Sequence, residues 1–446
     1  MSNAILLKYA RINTPRYTSY PTAPHFHAGV TGDVFASWLG ELDPDADGSL
    51  YLHVPYCREM CWYCGCSTRA TRRDAPIDAY ADLLLEEISQ VAGAIPHRPR
   101  LTHIHFGGGT PTILSEARLS AIMDALHAQF QVEPGAEIAI EIDPRIFSPD
   151  MAARLARLGF NRASIGVQTF DATVQARINR IQPRETVAAC VDSLRAEGIT
   201  NISFDLLYGL PGQTLESCRE TVAEALALQP DRLSIFGYAH VPHMKRHQQL
   251  IRDEDLPGAE DRIAQSITMA QAAEAAGYIP VGIDHFARPD DAMAKMVAAG
   301  NMRRNFQGYT TDQAGFLIGL GASAISKLPQ GYAQNTPDVA AWSKAIAAGR
   351  MATARGIALD AEDRVRSEII ERLMCNLEAD IDAIAGSTPV GIETPDLSDL
   401  EEDGIVRRDG NRIGIAGDYR MLARIVAARF DARLQAGARA KHSLSV

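Results

Sequence analysis

No stretch of the 446-residue sequence reaches the ~18 consecutive apolar residues that a membrane helix needs, so a membrane span is not expected. The start, MSNAILLKYARINTPRYTSYPTA, lacks a long apolar segment followed by a small-residue cleavage site, and secretion is not expected either. Positive charge is in short supply: 44 Lys and Arg stand against 55 Asp and Glu, for a net −11 with histidines neutral. A surface that tracks nucleic-acid phosphates usually makes its domain basic, so nucleic acid is not the expected partner. There is no repeat of solenoid period and no low-complexity tract. Disorder is excluded by the 46% of residues that are hydrophobic, enough for a large core. At ~150 residues per domain the length allows two or three units, or one α/β barrel with attachments.

Cysteine is scarce and badly spread. Of seven, four lie within ten residues, at Cys57, Cys61, Cys64 and Cys66, while Cys190, Cys218 and Cys375 are scattered. An odd count without a secretion signal fits free thiols in a reducing compartment, and the expected location is the cytoplasm. A zinc site would normally need a second CxxC knuckle, which is missing. A redox dithiol would use Cys61 and Cys64 and leave Cys57 without a purpose. Three thiolates at spacings of four and three, in one loop after a strand, suit a four-iron cluster; with three protein ligands, one iron stays open.

The strand candidates are SLYLHV (49–54), LTHIHF (101–106), AEIAIEI (136–142), RASIGVQ (162–168), NISFDLLY (201–208) and DRLSIFGY (231–238). Their near-continuous hydrophobicity is that of buried parallel strands. Helices lie between them. Ile77, Tyr80, Ala81, Leu84, Leu85, Ile88 and Val91 share one helical face, and 148–159 opens with Ser148 as N-cap and Pro149 and stops at Gly159. Six such repeats predict an α/β fold, a partial barrel of TIM type with its chemistry at the C-terminal ends of the strands. The motifs HVPYC, GGGTPT, EIDP, QTF and DLLYGLPGQT follow the strands as this expects. Past residue 350 the pattern changes to a helix at 364–377, a hairpin over 403–415 turning at Asp409–Gly410, and a helix from Met421 onward. This reads as a small, mainly helical, winged-helix-like domain. From Gly404 on it carries nine Lys/Arg against three Asp/Glu. We expect those charges to form a solvated basic face on a docked domain rather than a DNA-binding surface.

The motif Cys57-x3-Cys61-x2-Cys64 with Gly107-Gly-Gly-Thr110-Pro on the next strand resembles the radical S-adenosylmethionine superfamily. RYTSYPTA (16–23), CGC (64–66), EIDPR (141–145), GVQTF (166–170), DLLYGLPGQT (205–214), YAHVP (238–242), DHFARPDD (284–291), NFQGYTT (305–311) and GASAIS (321–326) narrow it. In that order they resemble the oxygen-independent coproporphyrinogen III oxidase (dehydrogenase) family. The resemblance implies a segment covering the active site at 1–35, a catalytic domain of the radical S-adenosylmethionine type at 36–350 and a C-terminal domain at 351–446.

It also implies an enzyme with a 4Fe-4S cluster on Cys57, Cys61 and Cys64, whose open iron chelates S-adenosylmethionine. Reductive cleavage yields a 5′-deoxyadenosyl radical, which abstracts hydrogen from a substrate propionate. Loss of CO2 and an electron leaves a vinyl group, and two such events turn coproporphyrinogen III into protoporphyrinogen IX. Two molecules of S-adenosylmethionine are implied, the first contacting Tyr51, Gly108, Glu141 and Ile325, the second Tyr63, Gly109, Thr110, Gln168, Arg180, Asp205 and Ala239. Cys66 is implied as a nearby thiol that is not a ligand, and His53, Phe306 and Gln307 match motif positions that line the site. Plainer roles stand beside these: a barrel-rim salt bridge for Glu141, a surface charge for Arg180, a paired core acid for Asp205, buried structural roles for His53 and Phe306. An electron-donor protein is implied and a monomer expected. The substrate carries four propionates, so local cations must face the site; the candidates are Arg16, the best placed, with Arg69, Arg72 and Arg73, although a charge run such as Arg72–Arg73 is usually a solvated face. Non-catalytic haem carriers of the same family are the rival reading, but they usually lack the CGC end and the RYTSYPTA segment, both present here.

Overall fold

The structure is a computed structural model and describes residues 3–10, 12–386 and 390–435. Six strands, β1 (Asp47–Val54), β2 (Arg100–Gly108), β3 (Gln131–Ile142), β4 (Arg162–Gln168), β5 (Asn201–Tyr208) and β6 (Arg232–Gly237), lie side by side in chain order and all parallel. A seventh, β7 (Phe316–Leu320), runs parallel on the free side of β1. Short antiparallel strands finish both edges: Ile325–Leu328, Gly331–Asn335 and Thr353–Ala358 beyond β7, and His285–Ala287 with Ile279–Val281 beyond β6. The two edges do not pair with each other, so the barrel is partial, as the sequence predicts.

Between the strands run α1 (Ala75–Gly93), α2 (Glu116–Gln129), α3 (Pro149–Arg157), α4 (Arg184–Ala196), α5 (Leu215–Ala227) and α6 (Ala259–Ala275). The outer face of the sheet packs on them through alternate residues such as Leu50, Leu52, Ile104, Phe106, Ile140, Ile165, Phe204 and Ile235, all buried in one core. The inner face carries polar side chains. Register places Tyr51 beside His105, Glu141 beside Ser164 and Gly166 beside Asp205, so the inward set is polar. Its floor is closed by charge: Arg162 faces Glu137 at 3.6 Å and Arg232 pairs with Asp291 at 2.8 Å.

The apolar stripe of α1 is buried as its periodicity predicts, with Leu85 half-buried. Glu87 is buried with it, which no periodicity announces. Its carboxylate accepts from the Gly321 amide (2.5 Å), Asn335 Nδ2 (2.7 Å) and Trp342 Nε1 (3.1 Å) and ties α1 to the turn after β7. Ser148 is the N-cap residue of α3, but its side chain makes no capping hydrogen bond. At the C-terminal end, Ala361–Asn376 is helical and Val406–Asp409 turns into Arg412–Ile415, joined by Glu378–Asp380 in a three-stranded sheet. The helix expected from Met421 is two short ones, Ala423–Ala428 and Ala432–Gln435, and the rest of that stretch lies outside the described residues. A second core joins Leu6 and Tyr9 of the N-terminal helix (Asn3–Ala10) to Ile369, Leu373, Ile413 and Phe430. Lys8 and Tyr9 donate to Asp403, and Tyr17 donates to Asp431 at 3.0 Å, so the described N-terminal segment is packed on the described C-terminal part.

Candidate active site

The cysteine loop leaves β1 and closes on itself. Tyr56–Cys57 pairs with Arg69–Ala70, and the Thr71 amide donates to the Cys57 carbonyl at 2.9 Å. Four more of its carbonyls, which no strand satisfies, are taken by side chains from elsewhere. Asn179 holds Met60, Gln248 holds Tyr63, His247 holds Cys64 and Lys245 holds Cys66, all between 2.7 and 2.9 Å. All seven cysteines are free.

Each loop thiol has its own surroundings. Thr110 Oγ1 donates to Cys57 Sγ at 3.4 Å, with Thr68 Oγ1 at 3.3 Å; burial pushes this thiol up and the two hydroxyls oppose it. Arg145 and Arg180 each donate to Cys61 Sγ at 3.4 Å. Cys66 donates to Cys64, which holds Cys64 below the usual thiol range and pushes Cys66 above it. Among the described residues, no three His, Cys, Asp or Glu side chains converge tightly enough to cage a single ion. Free thiols spaced along one loop and supplied with cationic and hydroxyl donors fit a multi-iron cluster better than mononuclear zinc.

The other motifs arrive at the same cavity from the ends of the strands. It holds about 1250 Å³, and its lining includes Cys57, Cys61, Tyr63, Cys64, Cys66, Gly108, Gly109, Thr110, Glu141, Gln168, Arg180, Asp205, Ala239, Phe306 and Gln307. Gly108 sits at φ +118, and its amide donates to Glu141 Oε2 at 3.1 Å. Burial alone would raise Glu141, but His105 at 3.3 Å and that amide reverse the effect and keep it an anion. Asp205 is pushed up to about 6 by burial and by the charge of Glu141, against His285 and the hydroxyls of Ser234 and Ser164. Arg180 is no surface charge. It donates to Gly166 O at 2.6 Å and lies 3.4 Å from Asp143, and Tyr63, Asp143 and Cys61 together outweigh burial and keep it charged.

Three expected site residues stand behind this lining. The Tyr51 hydroxyl is 3.0 Å from His53 Nδ1, and the ring stacks on His105 at 5.8 Å. His53 Nε2 donates to the Ser67 carbonyl at 2.8 Å. Ile325 packs among Phe26, Tyr332 and Phe306. Among the expected cations only Arg16 lines the cavity. Arg69, Arg72 and Arg73 are exposed, and Arg72 faces Glu59 at 3.4 Å. The structure adds lining arginines that the sequence did not single out: Arg145, Arg262, Arg304, Arg420 and Arg424. Arg420 and Arg424 belong to the basic C-terminal stretch, so that stretch is not wholly the solvated face expected of it. Asn13, Arg16 and Thr18 from the N-terminal segment complete this wall.

A largely parallel α/β sheet with a three-cysteine loop at its C-terminal edge defines a class, and residues 51–225 match the Radical SAM superfamily. The oxygen-independent coproporphyrinogen III oxidase of Bradyrhizobium diazoefficiens is 51% identical over 438 residues, 97% of either chain. That of Pseudomonas aeruginosa is 38% identical over 442 residues, covering 96% of this chain and 95% of its own. The coproporphyrinogen III oxidase HemN of Escherichia coli, described as a radical SAM enzyme, superposes with a TM-score of 0.91. It is 37% identical, over 96% of this chain and 98% of that one. The chain belongs to the oxygen-independent coproporphyrinogen III oxidase family.

Proposed function

We propose that this chain oxidatively decarboxylates two propionate side chains of coproporphyrinogen III to vinyl groups without oxygen, giving protoporphyrinogen IX in haem biosynthesis. The observation that carries the reading is one cavity of about 1250 Å³ lined at once by the cysteine loop, the glycine turn and the strand-end acids. A pocket for one drug-sized ligand takes ~300–1,000 Å³, so this one has room for more than one small molecule. A 4Fe-4S cluster with S-adenosylmethionine bound there supplies one-electron reductive cleavage, the source of a carbon-centred radical.

The protein's part is to hold, orient and exclude water. Cys57, Cys61 and Cys64 are the three ligands in this reading, and Cys66 is a neighbouring thiol outside the ligand set. Arg145 and Arg180 offset the negative charge that thiolates bring to the loop. Glu141, kept ionised by His105 and the Gly108 amide, receives the cationic part of a first S-adenosylmethionine beside Gly108. Tyr51, His53 and Ile325 position that group from behind the lining. A second molecule takes Tyr63, Gly109, Thr110, Gln168, Arg180, Asp205 and Ala239. Phe306 and Gln307 line the substrate side, the segment within 1–35 covers the site of the catalytic domain 36–350, 351–446 is a C-terminal domain, and the chain works as a cytoplasmic monomer fed by an electron-donor protein. Seven free cysteines suit a reducing setting.

The test is anaerobic purification, cluster reconstitution, and incubation with coproporphyrinogen III, S-adenosylmethionine and a reductant. Protoporphyrinogen IX formed together with 5′-deoxyadenosine is the expected result. Methionine release without decarboxylation would point to another substrate, and haem binding without turnover would point to a carrier.

A further inference from the structure

Besides the cysteine loop, the cavity is lined by arginines from four separate stretches of chain, near enough to feel one another's charge. Arg16 comes from the N-terminal segment, Arg262 from α6, Arg304 from strand Arg303–Asn305 and Arg424 from helix Ala423–Ala428. Like charges gathered from such distant parts of a sequence repel one another, and the repulsion is legible. Burial and then Arg16 hold Arg424 down at about 10, with Arg304 adding to the effect, and burial and Arg16 also lower Arg262.

The seats of these side chains are built. Arg262 lies over the Tyr208 ring at 5.7 Å, against Gly209 and Gly237, where a Cβ at either position would collide with or crowd its guanidinium. Arg304 lies over the Tyr309 ring at 4.3 Å; its Nη2 donates to the Arg16 carbonyl at 3.5 Å, and among the described residues its Nε and Nη1 have no hydrogen-bond acceptor. Aromatic faces hold a guanidinium without neutralising it, which leaves its charge for a ligand. The carboxylate that Arg16, Arg304 and Arg424 have in common is Asp284, and it is already engaged by His285 at 2.7 Å. Glu274 sits with Arg420 nearby, and Asp418 is the third acid at this end of the lining.

We infer that Arg16, Arg262, Arg304 and Arg424 form a carboxylate-binding wall that grips the non-reacting propionates of the tetrapyrrole and so turns the reacting one toward the cysteine loop. The inference rests on the reading of the substrate as coproporphyrinogen III. Guanidinium suits the task because its planar fork meets a carboxylate with two parallel hydrogen bonds. On this account affinity follows the number of carboxylates on the macrocycle more than the macrocycle itself.

The test uses the full-length, cluster-reconstituted protein and fluorescence titration with stable porphyrins. Coproporphyrin III has four carboxylates and mesoporphyrin two. Wild-type protein should bind the four-carboxylate ring at least about tenfold more tightly, with the preference shrinking as salt is added. Arg262→Gln and Arg304→Gln should each weaken coproporphyrin III by at least about tenfold while weakening mesoporphyrin less, and should raise KM for coproporphyrinogen III more than they lower kcat. Arg304→Lys should recover part of the loss, and Arg219→Gln on the outer helix α5 should change nothing. A purely structural role would weaken both porphyrins equally, and that result would overturn the wall. So would wild-type protein that turns over coproporphyrinogen III yet binds both porphyrins alike, an outcome that depends on no variant folding. Wild-type protein that does not decarboxylate coproporphyrinogen III would instead overturn the functional reading on which the wall rests.

Discussion

Replacing Gly109 with alanine asks whether the glycine run serves close approach or merely a turn. Its backbone is not in the left-handed region, so the argument is purely steric. An alanine Cβ there would stand 2.6 Å from the Tyr56 carbonyl oxygen and 2.8 Å from its carbon, with Thr68 Oγ1 closer still. Carbon atoms pack at ~3.5 Å or more, so the shortfall against the carbonyl carbon is about 0.7 Å. Thr68 could rotate away only by leaving Cys57 Sγ, 3.3 Å from its hydroxyl. Tyr56 has less freedom, because its strand pairs with Arg69 and its carbonyl accepts from Thr110 N at 2.9 Å. Either the segment leading into Cys57 or the Gly109–Thr110 turn must therefore move. Overpacking of this kind costs ~1–3 kcal/mol, a loss of roughly 5- to 150-fold if the site carries it. The control is Gly93→Ala, at the exposed end of α1, where the new methyl meets nothing within 4 Å. Anaerobically reconstituted protein should show weaker S-adenosylmethionine binding and slower 5′-deoxyadenosine formation for Gly109→Ala and near-wild-type values for Gly93→Ala. Wild-type behaviour of Gly109→Ala, or equal damage from Gly93→Ala, would refute the reasoning.

Cys61→Ser should lose iron on reconstitution, whereas Cys66→Ser should keep the wild-type content; iron lost from Cys66→Ser would mean that the ligand set is wrong. Glu87 is pushed up to about 7 by burial, against the Gly321 amide, Trp342 and Asn335, from an ordinary value of 4.5. The native state therefore holds that proton longer than the unfolded chain. Its contribution is complete below the unfolded value and is lost as pH rises through the folded one, about 1.4 kcal/mol between pH 6 and pH 8.5. The denaturation midpoint of Glu87→Gln should fall less over that interval, and an equal fall would count against the buried acid. Tyr17→Phe removes the donor to Asp431 between the chain ends, and stranding that acceptor should cost about 1–3 kcal/mol, read as faster proteolysis of the N-terminal segment. Proteolysis at the wild-type rate would sink this one.

The strands and the cysteine loop were legible because their signals are local. A run such as NISFDLLY declares a strand from its own eight residues, and Cys57, Cys61 and Cys64 declare one shared loop from their spacing alone. The polar inner face was harder. The alternation of AEIAIEI, with Glu137 and Glu141 inward and Ile138, Ile140 and Ile142 packed outward, is present in the sequence but looks like a solvated face until the sheet curls. Glu87 was not legible at all. Its donors come from Gly321, Asn335 and Trp342, some two hundred and fifty residues away, and an acid on a helix is ordinarily a solvent-facing one.

The arginines divide in the same way: the pair expected to face solvent does so, Arg16 lines the cavity as expected, and the further lining cations come from far along the chain. Arg72 and Arg73 sit next to the cysteine loop in sequence and face solvent, while Arg424, hundreds of residues away, lines the cavity. Proximity along the chain is a poor guide at a site walled by both chain ends, since that wall is set by the second core, which packs Leu6 and Tyr9 with Ile369 and Phe430. Net charge fails for a related reason. The value of −11 sums over a surface that water screens, whereas a ligand inside low-dielectric walls responds to the few groups that line them. An acidic chain can therefore repel nucleic acid from its outside and still present an arginine face to a carboxylate within. The sign of the whole constrains the first and is silent on the second.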